Sequence, residues 1–191
     1  MNTVQLIPIM PRSGIYLSAH GHGDDGRFAR LFKETWLALP LSARRRLLRH
    51  WWHDKRRGIG GFWGTPTTTS PTIELLSGWF RTESALWEAL DGMPDEEPPF
   101  AQTFGGGHTL RFWSTAVDQM PDDLVRRLIA HELAHVHQFA CGRLRVDCEA
   151  DAGQLACCWG YSGEPIREWA DRRRKKPCRY ERQGNSKSEI I

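Results

Sequence analysis

The chain has 191 residues, 40% of them hydrophobic, with 26 Lys and Arg against 23 Asp and Glu. This length and composition predict one globular domain and exclude global disorder. No stretch reaches the ~18 consecutive apolar residues of a membrane-spanning helix. The net charge of +3 conceals a separation along the chain. Residues 42–57 carry seven basic and one acidic side chain (+6), residues 171–191 carry eight and three (+5), and all other residues together sum to −8.

The N-terminal part of the chain is predicted to be mainly helical. A short apolar alternation at 15–17 indicates a strand. Apolar residues then recur at three- and four-residue spacing over 24–39, and Pro40 ends this run. A second helix is predicted over 42–53, with its arginines on the solvent face. We therefore expect an N-terminal helical part at 24–57.

The middle of the chain is predicted to contain two strands and one helix. A strand over 73–80 is followed by a short helix over 82–91 and by an exposed connection rich in proline and acidic residues. Three consecutive glycines at 105–107 then precede a strand over 109–117, where apolar and polar residues alternate. The glycines leave the start of this strand open to close approach by another element.

A long helix over 121–140 is the clearest element of the sequence. Pro121 suits the first helical position, and Gly142 stands where a helix commonly ends. Asp122 and Asp123 complement the positive end of the helix dipole.

The chain is expected to form a single domain over 1–170. Within it, residues 105–162 form the core part, which includes a further helix predicted over 147–159. Residues 171–191 are a basic tail rich in Arg and Lys, which we predict to be disordered.

The N-terminus and the cysteines both indicate a cytoplasmic protein. The first apolar run follows no positively charged region and is interrupted by two prolines, so no secretory signal is expected. The five cysteines are odd in number and contain no Cys-x-x-Cys pair, which predicts reduced thiols rather than a disulfide framework or a zinc ribbon. Cys157 and Cys158 lie in an apolar helical run and are predicted to be buried.

The helix over 121–140 contains the sequence H-E-x-x-H, formed by His131, Glu132 and His135. Residues four apart on a helix differ by about 40° around its axis, so both imidazoles project from one face and can chelate one ion. Glu132 is adjacent but rotated, which places it beside the open position of a zinc ion, where a general base must stand.

A tetrahedral zinc site needs a third protein ligand, for which Asp147 and Glu149 downstream are the candidates. Asp147 and Asp151 share a helix face, whereas Glu149 lies about 200° from Asp147 around the axis. This favours Asp147 as the ligand, with Asp151 as an outer acceptor for a ligating imidazole. Glu149 remains the alternative because its side chain reaches further.

With these residues the sequence resembles the zincin metallopeptidases, most closely the compact gluzincin-like group that includes anti-repressor-cleaving and prenyl-protein-processing peptidases. There the H-E-x-x-H helix is followed by Glu-x-x-Ala-Asp or Glu-x-x-Ala-Asn. This chain has Asp147 at the first position of that pattern and Asp151 at the last. SprT-like peptidases share the first half of the pattern. The resemblance implies a compact zincin-like α+β fold in which a small sheet lays an edge strand, residues 109–114, against the H-E-x-x-H helix and pairs it with substrate.

The chemistry implied is metal-assisted hydrolysis of a protein or peptide substrate, with zinc as the cofactor and Glu132 accepting the proton of the attacking water. An oxyanion would need a further donor, for which His108 and Tyr161 are the candidates nearest in sequence. His137 follows the motif by two positions and is predicted to point away from His135.

Two other functional classes fit parts of the sequence. Zinc could stabilise a non-catalytic module, in which case the metal would bind without hydrolysis. Alternatively, basic residues at 172–176 and 44–57 could bind nucleic acid through its phosphates without sequence specificity.

Overall fold

The structure is a computed structural model, and the residues that it describes fall into eight segments. These are 4–10, 15–20, 25–57, 72–76, 100–104, 107–142, 148–162 and 168–169. The helix predicted over 82–91 and the basic tail at 171–191 lie outside these segments.

Five strands form one mixed sheet in the order β1-β2-β3-β5-β4. The strands are β1 (Val4–Met10), β2 (Ile15–His20), β3 (Thr72–Leu76), β4 (Ala101–Phe104) and β5 (Thr109–Trp113). The three inner strands β2, β3 and β5 run parallel, whereas β1 and β4 pair antiparallel with their neighbours. With the helices below, this confirms a compact α+β architecture.

The prediction that residues 109–114 form the edge strand is wrong. β4 pairs along β5, with Thr103 opposite Leu110, and so takes the outermost position among the described strands. Leu110 and Phe112 are fully buried, as expected for an inner strand. The chain also leaves the sheet earlier than predicted, because one helical turn, α3 (Ser114–Val117), begins directly after Trp113.

Neither outer strand was predicted from the sequence. β4 has only four residues, which is too short to show a clear alternation. β1 contains Pro8, a residue that argues against a central strand. β1 lies at the end of the described sheet, where a proline is accommodated because the outer side of an edge strand needs no backbone N–H to bond a neighbouring strand.

The described residues include four longer helices, and each agrees with a predicted range. They are α1 (Asp25–Ala38), α2 (Leu41–Arg57), α4 (Asp122–Ala140) and α5 (Cys148–Cys158). α1, α2, α5 and β4 all contact α4, so the H-E-x-x-H helix lies at the centre of the helical layer. Among the described helices, none combines the length and apolar character needed to cross a membrane.

Aromatic side chains join the helices to the sheet. Phe28 of α1 lies against Phe112 of β5, with ring centroids 4.9 Å apart. Trp36 of α1 stacks on Trp51 of α2 at 5.5 Å and an interplanar angle of 17°. Both tryptophans are buried, and so contribute large apolar side chains to the core between the two helices.

The two adjacent cysteines of α5 differ from their prediction. Cys157 and Cys158 are exposed, so the prediction that they are buried is wrong. They lie on the open side of α5, whereas Ala152 and Ala156 form its buried side.

Ion pairs fix the N-terminal end of α4 against α1. The carboxylate of Asp122 accepts hydrogen bonds from Arg27 and Arg30 at 2.9 and 3.0 Å. Four residues further along α4, Arg126 donates to Glu34 at 2.8 Å. These contacts, which we call the α1–α4 ion network, hold the start of the H-E-x-x-H helix in place.

Candidate metal centre

The two histidines of the motif project from one side of α4. The Nε2 atoms of His131 and His135 are 3.1 Å apart, and the rings are nearly perpendicular, at 85°. The apolar residues Ile129 and Leu133 on the same helix are fully buried in the core, which fixes the rotation of α4. The helix thus directs both ring nitrogens to one point.

Glu149, in the first turn of α5, brings a carboxylate to the same point. Its Oε2 lies 2.9 Å from Nε2 of His131, and its Oε1 lies 3.2 Å from Nε2 of His135. These contacts hold the pKa of Glu149 well below its usual range, since the hydrogen bonds with the two imidazoles outweigh partial burial. We call His131, His135 and Glu149 the His–His–Glu site.

The spacing and chemistry of these donors fit a divalent cation such as zinc. One ligand atom from each of the three residues can be chosen so that all lie within 4.8 Å of one another. The closest N···N and N···O distances, 2.9–3.2 Å, approach the edge of a tetrahedron with bonds of about 2.0 Å, which is about 3.3 Å. Two imidazoles and a carboxylate are a ligand set that zinc accepts.

Gln138 fixes the orientation of the His135 ring. Its Oε1 lies 3.0 Å from Nδ1 of His135, so it accepts the Nδ1–H and directs Nε2 at the His–His–Glu site, where Nε2 can bind a metal ion once it has lost its proton. Burial lowers the pKa of His135, but contact with Glu149 and the charge of Glu132 raise it by more. Gln138 was not identified from the sequence, although its three-residue spacing from His135 on one helix was a usable signal.

Glu132 lies on the buried side of α4, facing β4. The residue is 5% exposed, and its Oε2 accepts a hydrogen bond of 2.6 Å from Oγ1 of Thr103. Burial raises the pKa of Glu132, against the opposing effects of Thr103 and of the two histidines. Thr103 was not identified from the sequence because β4 itself was not predicted.

The three acidic residues discussed downstream of the H-E-x-x-H motif differ in their positions relative to the two histidines. Glu149, the alternative ligand, is the one that lies beside both imidazoles. Asp147, the ligand favoured by helix periodicity, is outside the described residues. Asp151 is exposed and lines a cleft together with His137 and Gln138. The acceptor found at Nδ1 of His135 is therefore Gln138, whereas Asp151 was the predicted one.

The predicted oxyanion donors contact other elements. Tyr161 donates its hydroxyl proton to the backbone oxygen of Thr35 in α1 at 3.1 Å, and burial raises its pKa. The ring of His108 lies against that of His50 in α2, with centroids 5.1 Å apart. An oxyanion role for either side chain stays a prediction.

Comparisons with protein-family models, with curated proteins and with solved structures find no match to this chain. The resemblance to zincins consequently depends on the H-E-x-x-H motif and the acidic pattern after it.

Proposed function

We propose that this protein is a zinc-dependent metallopeptidase-like hydrolase that acts on a protein or peptide substrate. The observation that carries the proposal is that the imidazoles of His131 and His135 and the carboxylate of Glu149 lie within hydrogen-bond distance of one another. A second carboxylate, that of Glu132, is buried on the helix that bears the two histidines. A metal site that only stabilises the fold has no need of that second, buried acid.

His131, His135 and Glu149 would hold the metal through their Nε2 atoms and a carboxylate oxygen. The site is accessible, because the side chain of Glu149 is 63% exposed and that of His131 is 16% exposed. A zinc ion held in this way supplies Lewis acidity, which activates water and polarises a carbonyl group. An accessible site with three protein ligands is the arrangement found in catalytic rather than structural zinc centres.

Glu132 would act as the general base and then as the acid. Its carboxylate takes a proton from the attacking water and delivers that proton to the departing amine. The raised pKa that burial gives this carboxyl makes it a stronger base than an exposed glutamate. The hydrogen bond from Thr103 holds one oxygen in place and leaves the other for proton transfer.

Metal content tests the ligands. Protein purified without chelators should contain about one zinc per chain by elemental mass spectrometry. His131→Ala and Glu149→Gln should lose most of it, because each removes one of three ligands. Asp147→Asn and Asp151→Asn are matched controls that should keep it. Loss of zinc in Asp147→Asn but not in Glu149→Gln would assign the third ligand to Asp147.

Peptide hydrolysis tests the base. Glu132→Gln should retain zinc and lose activity by about 100-fold or more, measured by mass spectrometry of new N-termini in a proteome-derived peptide library. Glu168→Gln, at an exposed glutamate, is the matched control. If zinc is bound but no cleavage depends on Glu132, the metal is a folding element and the hydrolase proposal is wrong.

A further inference from the structure

The solvent side of α2 carries side chains that belong neither to the core nor to the His–His–Glu site. Leu41, Arg45 and Arg49 follow one another at four-residue spacing, and all three are exposed. Residues four apart lie on one face of a helix, so this row runs for about 12 Å along α2. Arg46 is exposed beside the row, whereas Leu47 on the opposite side is fully buried. We call Leu41, Arg45, Arg46 and Arg49 the basic face of α2.

The arginines of the basic face have no carboxylate within ion-pair distance among the described residues. Exposed arginines on other elements are paired: Arg30 contacts Glu34 at 3.1 Å, and Arg111 contacts Glu74. Residues 41–51 contain no acid that could pair within the helix. The helix dipole also disfavours cations near the N-terminal end of α2, so helix stability does not account for these arginines. The basic face therefore presents positive charge that the described part of the chain does not neutralise.

Apolar side chains are exposed next to this charge. The large hydrophobic residues that are exposed in the described part of the chain are Tyr16, Leu37 and Leu41. Leu37 lies in the last turn of α1 and Leu41 is the first residue of α2, and their exposed fractions are 52% and 53%. The phosphate backbone of a nucleic acid has no apolar side chain to place on these leucines, whereas an acidic peptide supplies carboxylates and an apolar side chain together.

The charge of the remaining chain also favours a short acidic partner over a long polyanion. Outside residues 42–57 and 171–191 the side chains sum to −8. A polynucleotide that extends beyond α2 meets this negative charge and is repelled, whereas a short peptide can pair with the arginines alone. The same repulsion directs an acidic segment to α2 rather than to the rest of the surface.

We propose that the basic face of α2 is a docking surface for a short acidic segment of a partner protein, in which a leucine-sized side chain stands beside the carboxylates. Arg45 and Arg49 each donate paired hydrogen bonds to a carboxylate of that segment. Its apolar side chain packs on Leu41 and Leu37 and removes them from water. Docking of this kind needs neither a bound metal nor hydrolysis, so it is independent of the proposed hydrolase activity.

Peptide selection on the full-length protein tests this partner chemistry. Random peptides of about 12 residues, displayed on phage, are long enough to cover the row even as a helix. Selected peptides should be enriched in Asp and Glu around a Leu, Ile or Phe. The Kd of labelled synthetic copies, measured by fluorescence anisotropy, should rise about tenfold in Arg45→Gln/Arg49→Gln, which loses two ion pairs. It should rise about fivefold in Leu41→Ser, which loses apolar contact.

Matched substitutions away from α2 control for net charge and for exposed apolar surface. Arg30→Gln/Arg111→Gln also removes two cations, but these side chains are 50% and 41% exposed and already have carboxylate partners. Tyr16→Thr removes the third exposed hydrophobic residue and keeps a residue type that suits a strand. Both controls should leave the Kd within twofold of the parent value.

Several outcomes would contradict docking of an acidic segment. Selected peptides without acidic enrichment, or Kd values that change as much in the controls as in the α2 variants, would overturn the proposal. A duplex oligonucleotide that binds more tightly than the peptides and weakens in Arg45→Gln/Arg49→Gln would assign the face to nucleic acid instead. Dimerisation in sedimentation experiments that Leu41→Ser abolishes would assign the face to a second copy of the chain, and so would also refute the proposal.

Discussion

Glu132 and Glu149 are the same type of residue, but their surroundings shift the pKa values of the two carboxyl groups in opposite directions. Burial raises the pKa of Glu132, whereas hydrogen bonds with two imidazoles lower the pKa of Glu149. A carboxylate with a low pKa stays ionised and suits a cation ligand, and one with a raised pKa suits proton transfer. The two environments therefore match the two roles proposed for them.

At the residue scale we predict that Thr103→Val lowers kcat/KM about tenfold, because it removes a hydrogen bond to a charged carboxylate. That bond lowers the pKa of Glu132, so its removal raises the pKa further and moves the acidic limb of the pH–rate profile to higher pH. Thr103→Ser keeps the hydroxyl and should restore the parent profile. An unchanged acidic limb in a zinc-loaded Thr103→Val protein would show that Thr103 does not tune this base.

At the scale of elements, Gly107, just before β5, contacts both α2 and α4. Its backbone oxygen accepts a hydrogen bond of 2.7 Å from Nε1 of Trp51 in α2. A Cβ atom at this position would lie 3.2 Å from Cα of Val136 in α4, and the φ angle is +89°. The close approach anticipated from the three glycines is thus made by the H-E-x-x-H helix itself.

We predict that Gly107→Ala destabilises the protein more than Gly160→Ala, measured by urea unfolding. The two glycines have similar φ angles, +89° and +95°, so both alanines bear backbone strain of about 1–2 kcal/mol. Only Gly107 adds crowding among the described atoms, which costs roughly a further 1–3 kcal/mol. Equal decreases in the free energy of unfolding for the two variants would mean that α4 shifts to accommodate the extra methyl group with no loss of stability.

At the scale of the whole molecule, the α1–α4 ion network couples folding to pH. Hydrogen bonds from Arg30 and Arg27 lower the pKa of Asp122, and those from Arg126 and Arg30 lower the pKa of Glu34. A carboxyl whose pKa is lower in the folded state adds stability above its ordinary pKa, which is 3.8 for Asp122 and 4.5 for Glu34. That stability is lost as the pH falls through the folded-state value.

We therefore predict that Asp122→Asn lowers Tm at neutral pH and makes the fall in Tm between about pH 5 and about pH 2 shallower than in the parent. Asp123→Asn is the control: it removes a charge from the same helical turn, but its side chain is 99% exposed and pairs within α4. Thermal scans with a chelator present keep metal binding out of the comparison. Parallel Tm curves for the parent and Asp122→Asn would refute the coupling.

Features that depend on neighbouring residues along the chain were determined by the sequence itself. The long helices follow from apolar spacing, and the shared face of His131 and His135 follows from the geometry of any helix with residues four apart. Such features need no knowledge of what packs where. Short strands lack this regularity, so β4 could not be identified locally, and the edge position was assigned to the strand after it.

The surroundings of the histidine pair were decided by tertiary structure. Periodicity over the helix predicted at 147–159 could show that Asp147 and Glu149 face different directions, but not which direction faces α4. The packing of α5 on α4 places Glu149 there. Likewise, Thr103 reaches Glu132 only because β4 pairs with β5 and so lies against α4. The angle and register between packed elements depend on side chains that are distant in sequence. A local sequence pattern therefore identifies the H-E-x-x-H motif, but it does not identify Glu149 and Thr103 as the residues that contact it.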